Sequence, residues 1–238
     1  MEFKVLEKIA EQQEKTIKLL SRLSEQKYDE KIGIDRHTAF VKNRIFQVRT
    51  KSPLKNLSLE PAMFIHVIPI KSALIEQGFH RDHLYTLSGY TSNWYRDSTK
   101  LLLSSEGAVK MIECKDNIIR DYVQYLRSGV MEAYVIPQKD ESTEQFYFEG
   151  DEFKGKAAIS IKSMVECMMI LGIEGPFNVY ISFIDCQDVI IRSRESKRPA
   201  VNSFTSPPFT IDDSSTFYNS QIFSDFINDI RLIFGKYE

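Results

Sequence analysis

Two carboxylates and one lysine near the middle of the chain have residue types and a spacing that could support metal-assisted hydrolysis. Asp97 precedes the segment T-K-L-L-L, and Glu113 and Lys115 lie in E-C-K at the end of the apolar run V-K-M-I. Carboxylates on neighbouring strands can hold Mg²⁺ or Mn²⁺, while a lysine orients or activates the attacking water. These residues therefore define one candidate catalytic site.

The arrangement resembles the core of PD-(D/E)xK nucleases, but three features weigh against that interpretation. E-x-K triplets are common in charged proteins, and the proline of the motif is missing before Asp97. Strand alternation also makes Glu113 and Lys115 suitable for the solvent face of an edge strand. We therefore prefer a protein without catalytic residues, cofactor or metal. A metal-dependent nuclease with Mg²⁺ or Mn²⁺ as cofactor is the alternative.

Other signatures of catalysis are missing from the sequence. It contains no Walker-type phosphate loop, no G-x-G-x-x-G, no G-x-S-x-G and no H-E-x-x-H. His80 and His83 in H-R-D-H lack a third ligand at a recognisable spacing. His66 lies in the apolar run A-M-F-I-H-V-I-P-I, where we expect a core histidine with one satisfied hydrogen bond.

Composition favours a soluble globular protein. The chain has 238 residues, 42% of them hydrophobic, and a net charge of −2, so no global attraction to nucleic acid or membrane is expected. Three widely spaced cysteines fit neither a disulfide framework nor a Cys-x-x-Cys zinc pair. The N-terminus lacks the apolar core of a signal peptide, and no segment reaches transmembrane length. We therefore predict a cytoplasmic protein without membrane contact.

Residues 1–30 are predicted to form an N-terminal amphipathic helix. Residues 1–26 contain no Gly or Pro, and an apolar seam follows helical spacing with two polar interruptions. Such a seam either packs on its own domain or binds a helix of another chain. The second case would give oligomerisation or partner binding. The seam consists of Leu6, Ile9, Leu20 and Leu23.

Residues 31–60 are interpreted as a basic linker. Residues 31–55 contain seven basic side chains and a single acidic one, Asp35. Phe40 and Phe46 lie among them and could stack on bases, although a solvated surface explains the block more simply. The candidate polyanion-binding residues are Lys42, Arg44, Arg49 and Lys51.

Residues 61–238 are predicted to form an α+β domain with a mainly antiparallel sheet covered by helices. One hairpin spans D-Y-V-Q-Y-L-R-S-G-V-M-E-A-Y-V, residues 121–135. With Ser128-Gly129 as a two-residue turn, Gln124 pairs with Ala133, and Glu132 lies on the face away from the helices. The face predicted to meet the helices carries Tyr122, Gln124, Leu126, Met131, Ala133 and Val135.

Four segments carry a family resemblance. F-I-H-V-I-P-I (64–70), the hairpin of residues 121–135, M-M-I-L-G-I-E-G-P-F-N-V-Y-I-S-F-I (168–184) and F-S-D-F-I-N-D-I-R-L-I-F-G (223–235) resemble, in order and spacing, the region that follows the AlbA-type domain of bacterial Schlafen-like proteins. The resemblance covers about residues 36–235. The AlbA-type domain, where that family's ATP or DNA binding is placed, has no counterpart here.

The resemblance implies an accessory α+β module separated from its usual partner domain, of the kind that accompanies phage-defence genes. Our leading hypothesis is a non-catalytic binding or assembly module of a nucleic-acid-related or phage-defence complex. Its N-terminal helix would bind a protein partner or self-associate, and its basic block would contact nucleic acid or another polyanion.

Overall fold

A computed structural model describes residues 31, 33–51, 54–70, 86–87, 99–113, 118–192, 201–212 and 221–233. The chain divides into two compact units, Met1–Asn43 and Arg44–Glu238. In the first unit the described residues 33–43 are helical. The predicted helix of residues 1–26, with its seam of Leu6, Ile9, Leu20 and Leu23, lies outside the described residues.

The segment interpreted as a linker is largely helical. Helix α1 covers residues 33–51, and residues 44–51 belong to the second unit. Within that unit Arg44, Ile45 and Val48 are buried, at the three- and four-residue spacing of a helix face. The many charges of this segment conceal that helical periodicity, and its role as a linker between domains stays a prediction.

An eight-stranded antiparallel sheet dominates the second unit. Its strands follow the spatial order β10-β8-β1-β5-β4-β3-β2, and β11 also pairs with β8. The strands are β1 (Ala62–Pro69), β2 (Thr99–Leu103), β3 (Gly107–Glu113), β4 (Ile119–Leu126), β5 (Met131–Val135), β8 (Phe177–Ile184), β10 (Phe204–Thr205) and β11 (Phe209–Ile211). The predicted strand around His66 and the predicted hairpin of residues 121–135 are both present.

A smaller sheet and two further helices also belong to this unit. The small sheet contains β6 (Gln138–Lys139), β7 (Phe146–Glu149) and β9 (Val189–Arg192), in the order β6-β7-β9, with β7 and β9 parallel. Helix α2 (Gly150–Ile170) follows β7 directly, and α3 (Gln221–Ile233) comes last. The α+β prediction is confirmed. None of the helices in the described ranges is long and apolar enough to span a membrane.

The main core lies between one face of the large sheet and helices α2 and α3. Met63, Ile65 and Val67 alternate along β1 toward this core, where Ile161 and Met164 of α2 are fully buried. Ring contacts between Phe148, Phe153 and Phe183 extend the core to the small sheet. Polar side chains that this core does not use are therefore expected on the opposite side of the sheet.

The hairpin of β4 and β5 has a different register from the predicted one. Gln124 lies opposite Glu132 rather than Ala133, because the turn has three residues rather than two. The amide of Leu126 donates to the carbonyl of Val130 at 2.8 Å, and Gly129 takes a φ of 76°. A three-residue loop with a left-handed glycine is a common alternative to the two-residue turn.

The one-residue shift changes which side chains share a face. Val123, Tyr125, Met131, Ala133 and Val135 belong to the core with α2. Residues directly opposite each other in a ladder share a face, so the reverse side carries Tyr122, Gln124, Glu132 and Tyr134. The predicted helix-covered face was wrong in including Tyr122 and Gln124, which lie on the reverse side. Glu132 lies on the side away from the α2 core, as predicted, and is fully buried there.

Candidate functional site

Three adjacent strands place a row of polar side chains on the reverse side of the large sheet. His66 on β1 lies opposite Glu132 on β5, and Glu132 lies opposite Gln124 on β4. Tyr122, two residues before Gln124, points to the same side. All four side chains are essentially without solvent exposure, so each requires a hydrogen-bonding partner inside the protein.

Glu132 is the centre of this group, which we call the Glu132 network. Its Oε1 accepts hydrogen bonds from Arg44 Nη2 at 3.0 Å and from the Tyr122 hydroxyl at 2.7 Å. Its Oε2 accepts from Arg44 Nε at 2.9 Å and from His66 Nε2 at 2.9 Å. A carboxylate has about four lone-pair sites, and all of those of Glu132 are used.

Arg44 supplies the positive charge of the network from helix α1. Its guanidinium binds Glu132 through two parallel bonds, which is the preferred geometry for an arginine and a carboxylate. Arg44 Nη1 also donates to Glu106 at 2.7 Å, and Nη2 donates to Gln124 Oε1 at 3.1 Å. Gln124 in turn donates to the hydroxyl of Ser104 at 3.3 Å.

The protonation states follow from these contacts. Burial alone would raise the pKa of Glu132, but the charge of Arg44 and the hydrogen bonds from His66 and Arg44 lower the pKa to about 2. Burial would lower the pKa of Arg44, but Glu132 outweighs it and the pKa is raised. Burial and the nearby Glu132 charge raise the pKa of Tyr122 well above its usual value. The pair is therefore ionised at neutral pH, with a neutral tyrosine donating to it.

The network has little capacity for catalysis. Glu132 has no acceptor site left for a substrate, and His66, whose Nδ1 has no hydrogen-bond partner, is completely buried. A general base must reach the proton that it removes, and neither group is accessible. Among the described residues, no group of three or more His, Cys, Asp or Glu side chains could hold a metal ion. The network therefore acts as a buried structural link.

His66 agrees with its prediction. It is buried in β1 and makes one hydrogen bond, to Glu132, as expected for a core histidine. Its ring also stacks on Phe64, with centroids 5.9 Å apart and planes 8° from parallel.

The structure separates the four candidate polyanion-binding residues. Arg44 is only 4% exposed and its donors are used internally, so its assignment to a polyanion surface was wrong. Arg49 donates to the carbonyls of Leu59 and Glu60 and forms an ion pair with Asp185. Lys42 in the first unit and Lys51 in the second are exposed.

The residues of the nuclease alternative are mostly outside the described part of the chain. Asp97 and Lys115 are not among the described residues, and neither are His80 and His83. Glu113 is the last residue of β3. The geometry required for a metal site at these positions therefore stays a prediction.

Sequence reasoning missed the Glu132 network, although the sequence contains a signal for it. Tyr122 and Gln124 alternate in β4, and Glu132 and Tyr134 alternate in β5, so each strand has one polar side. With the two-residue turn these sides appear on opposite faces, whereas the three-residue turn joins them. Arg44 was hidden among six other basic residues of the same segment.

A shallow groove lies between β11 and α3 in the second unit. Its volume is about 300 Å³, with apolar walls and two carboxylates on α3. Phe209 and Phe226 stack there, with centroids 5.2 Å apart. The groove is lined by Ser206, Pro207, Pro208, Phe209, Asp225, Phe226, Asp229 and Ile230.

Comparison with protein-family models, with curated proteins and with solved structures finds no match to this chain. The function must therefore be inferred from the residues and their geometry.

Proposed function

We propose that the protein is a non-catalytic binding or assembly module. The observation that supports this proposal is the closed state of the Glu132 network, because its ionisable groups are paired with each other and sealed from solvent. Groups arranged in this way stabilise a fold rather than act on a substrate. Function is then expected on the surface of the protein.

We further propose that exposed basic side chains contact a polyanion, such as nucleic acid. Lys51 and Lys55 are exposed in the second unit, and Phe46, which is 67% exposed, lies on the same helix as Lys51. Lysines that neutralise phosphates supply affinity without sequence preference, and an exposed aromatic ring can stack on an unpaired base. Lys42, which is exposed in the first unit, stays a candidate, whereas Arg44 does not.

The predicted N-terminal helix supplies a further element of the proposal. Leu6, Ile9, Leu20 and Leu23 would bind a protein partner or a second copy of the chain. A cytoplasmic nucleic-acid-related or phage-defence complex is the setting that the resemblance to Schlafen-like proteins suggests. Replacing Leu20 and Leu23 together by Glu tests this element, because the change should abolish self-association or partner capture through the seam.

Charge reversal tests the polyanion proposal. The double variant Lys51→Glu with Lys55→Glu is compared with Lys139→Glu with Lys162→Glu, which changes the net charge equally at other sites in the same unit. Fluorescence anisotropy with single-stranded DNA and RNA measures affinity between about 50 and 200 mM salt, a range over which phosphate contacts weaken steeply. We expect the first variant, and not the second, to weaken binding and reduce the salt dependence. Equal affinities in both variants would reject these lysines as contacts.

The nuclease alternative has a separate test. The wild-type protein and Glu113→Ala are incubated with single- and double-stranded DNA and RNA in the presence of Mg²⁺ or Mn²⁺. We expect no cleavage by either protein. Cleavage by the wild-type protein that disappears in Glu113→Ala would refute the non-catalytic proposal and establish the alternative.

A further inference from the structure

We propose that two copies of the chain associate through strand β2, so that the large sheet of one copy continues into the other. β2 is the terminal strand in the order β10-β8-β1-β5-β4-β3-β2, and of the described strands it pairs with β3 alone. Terminal strands offer backbone groups to which another strand can add.

The hydrogen-bond pattern shows which backbone groups of β2 face outward. Ser104 and Gly107 exchange backbone bonds of 2.8 and 3.4 Å at the end of the hairpin. Bonded and non-bonded pairs alternate in an antiparallel ladder, so Leu102 and Val109 form the next bonded pair. The N–H and C=O groups of Leu101 and Leu103 therefore point away from β3.

The side chains of the same two residues are also exposed. Leu101 is 43% exposed and Leu103 is 54% exposed, and both lie on one face, opposite Lys110 and Ala108 of β3. Natural sheet edges are usually protected by proline, by charge or by a bulge. The segment T-K-L-L-L contains no proline, and Lys100 is on the other face of the strand.

A second copy is the occupant that this strand fits best. In an antiparallel pair with a twofold axis at Leu102, Leu101 lies opposite Leu103 of the partner subunit, and the reverse contact follows from symmetry. Four outward backbone bonds then form, and four exposed leucines meet on one face. Lys100 lies opposite Ser104 of the partner subunit, so the two lysines are not paired with each other.

This inference concerns a different surface from the proposed N-terminal seam and the proposed lysine contacts, and it does not depend on either of them. A self-association that Leu20→Glu with Leu23→Glu abolishes, and that changes in β2 leave intact, would support the seam and overturn the β2 dimer. Loss of polyanion binding alone has no effect on the β2 prediction.

Light scattering of the full chain tests the dimer directly. We expect a mass of twice 27.6 kDa for the wild-type protein. Leu101→Pro removes an outward N–H that β3 does not use, and Leu103→Lys places a charge at the proposed β2 interface, so both variants should be monomers. Ile159→Lys is the matched control, because Ile159 on α2 is 41% exposed and should leave the dimer intact.

A monomeric wild-type protein, or a dimer that survives both changes in β2, would overturn the proposal. If circular dichroism shows that those variants are unfolded, a cysteine cross-link tests the proposed dimer instead. At the proposed axis the two Leu102 residues form a non-bonded pair with Cα atoms about 4.5 Å apart, a separation that a disulfide can bridge. Leu102→Cys in a Cys114→Ser background should give a covalent dimer on mild oxidation, and a protein that stays monomeric would refute the axis and the pairing.

Discussion

Arg44 and Glu132, 88 positions apart in the chain, meet through two nearly parallel hydrogen bonds of 2.9 and 3.0 Å inside the protein. One side chain is 4% exposed and the other is fully buried. The pair fastens α1 at Arg44 to strand β5. Removing one member of a buried ion pair leaves the other charge without compensation, which is more costly than replacing both.

The first prediction follows from this asymmetry. Glu132→Gln preserves the shape of the side chain but removes its charge, leaving the Arg44 guanidinium buried without its main partner. We expect the free energy of unfolding to fall by about 3–5 kcal/mol. Urea unfolding followed by circular dichroism measures the change.

Replacing both charges is the control for that prediction. The double variant Arg44→Met with Glu132→Met should be clearly more stable than Glu132→Gln, because no charge is then left buried. If the double variant loses as much stability as Arg44→Met and Glu132→Met lose when their separate effects are added, the two residues do not act as a pair.

The second prediction concerns pH. The pKa of Glu132 is lowered to about 2 in the folded protein from an ordinary value of 4.5, so its contribution is fully present above pH 4.5 and is lost as pH falls toward 2. Between pH 7 and pH 3 the stability advantage of the wild-type protein over Glu132→Gln should shrink by about 2 kcal/mol. Other carboxylates titrate in both proteins, so the difference isolates Glu132, and an advantage that is constant across this range would contradict the pairing.

The third prediction concerns the tyrosine that donates to the same carboxylate. Tyr122→Phe removes a hydrogen bond to a charged acceptor and should cost about 1.5–3 kcal/mol. Tyr134→Phe is the control on the same face, because its hydroxyl donates to the carbonyl of Ser58 and interacts with Arg49 rather than with Glu132, so its cost should be the same in the wild-type and Glu132→Gln backgrounds. In the Glu132→Gln background the cost of Tyr122→Phe should fall, and equal costs in both backgrounds would separate the tyrosine from the network.

The fourth prediction compares two glycines. A Cβ atom at Gly107 in β3 would overlap the carbonyl oxygen of Tyr125, whereas a Cβ at Gly155 in α2 has no neighbour within 4 Å. Gly107→Ala should therefore destabilise the protein by about 1–3 kcal/mol. Gly155→Ala should stabilise it by about 0.5–1 kcal/mol, because the unfolded chain loses less conformational entropy on folding with alanine than with glycine at this position. Thermal unfolding should show a lower melting temperature than wild type for Gly107→Ala and a higher one for Gly155→Ala.

Much of the fold was predictable because local patterns determine it. The apolar run around His66 predicted a strand, the glycine after Ser128 predicted a hairpin, and the structure contains both. These features depend on residues close together in the chain.

The Glu132 network was not predictable because it depends on long-range contacts and on one turn. Nothing near Arg44 distinguishes it from Lys42 or Lys51, and only the tertiary position of α1 buries it. The face of Tyr122 and Gln124 was assigned wrongly because Ser128-Gly129 also suits a two-residue turn, and a shift of one residue in register reverses every side chain of one strand.

The pairing of Leu126 with Val130, rather than the number of residues in the loop, keeps Glu132 beside Gln124. A loop that is one residue shorter or longer can still close this pair, because residues directly opposite each other share a face whatever connects the strands. Inserting or deleting one residue between Val130 and Glu132 would instead turn Glu132 toward the apolar core beneath α2. Natural variants that keep the acid at this position should therefore change in length within the loop and not within the strand.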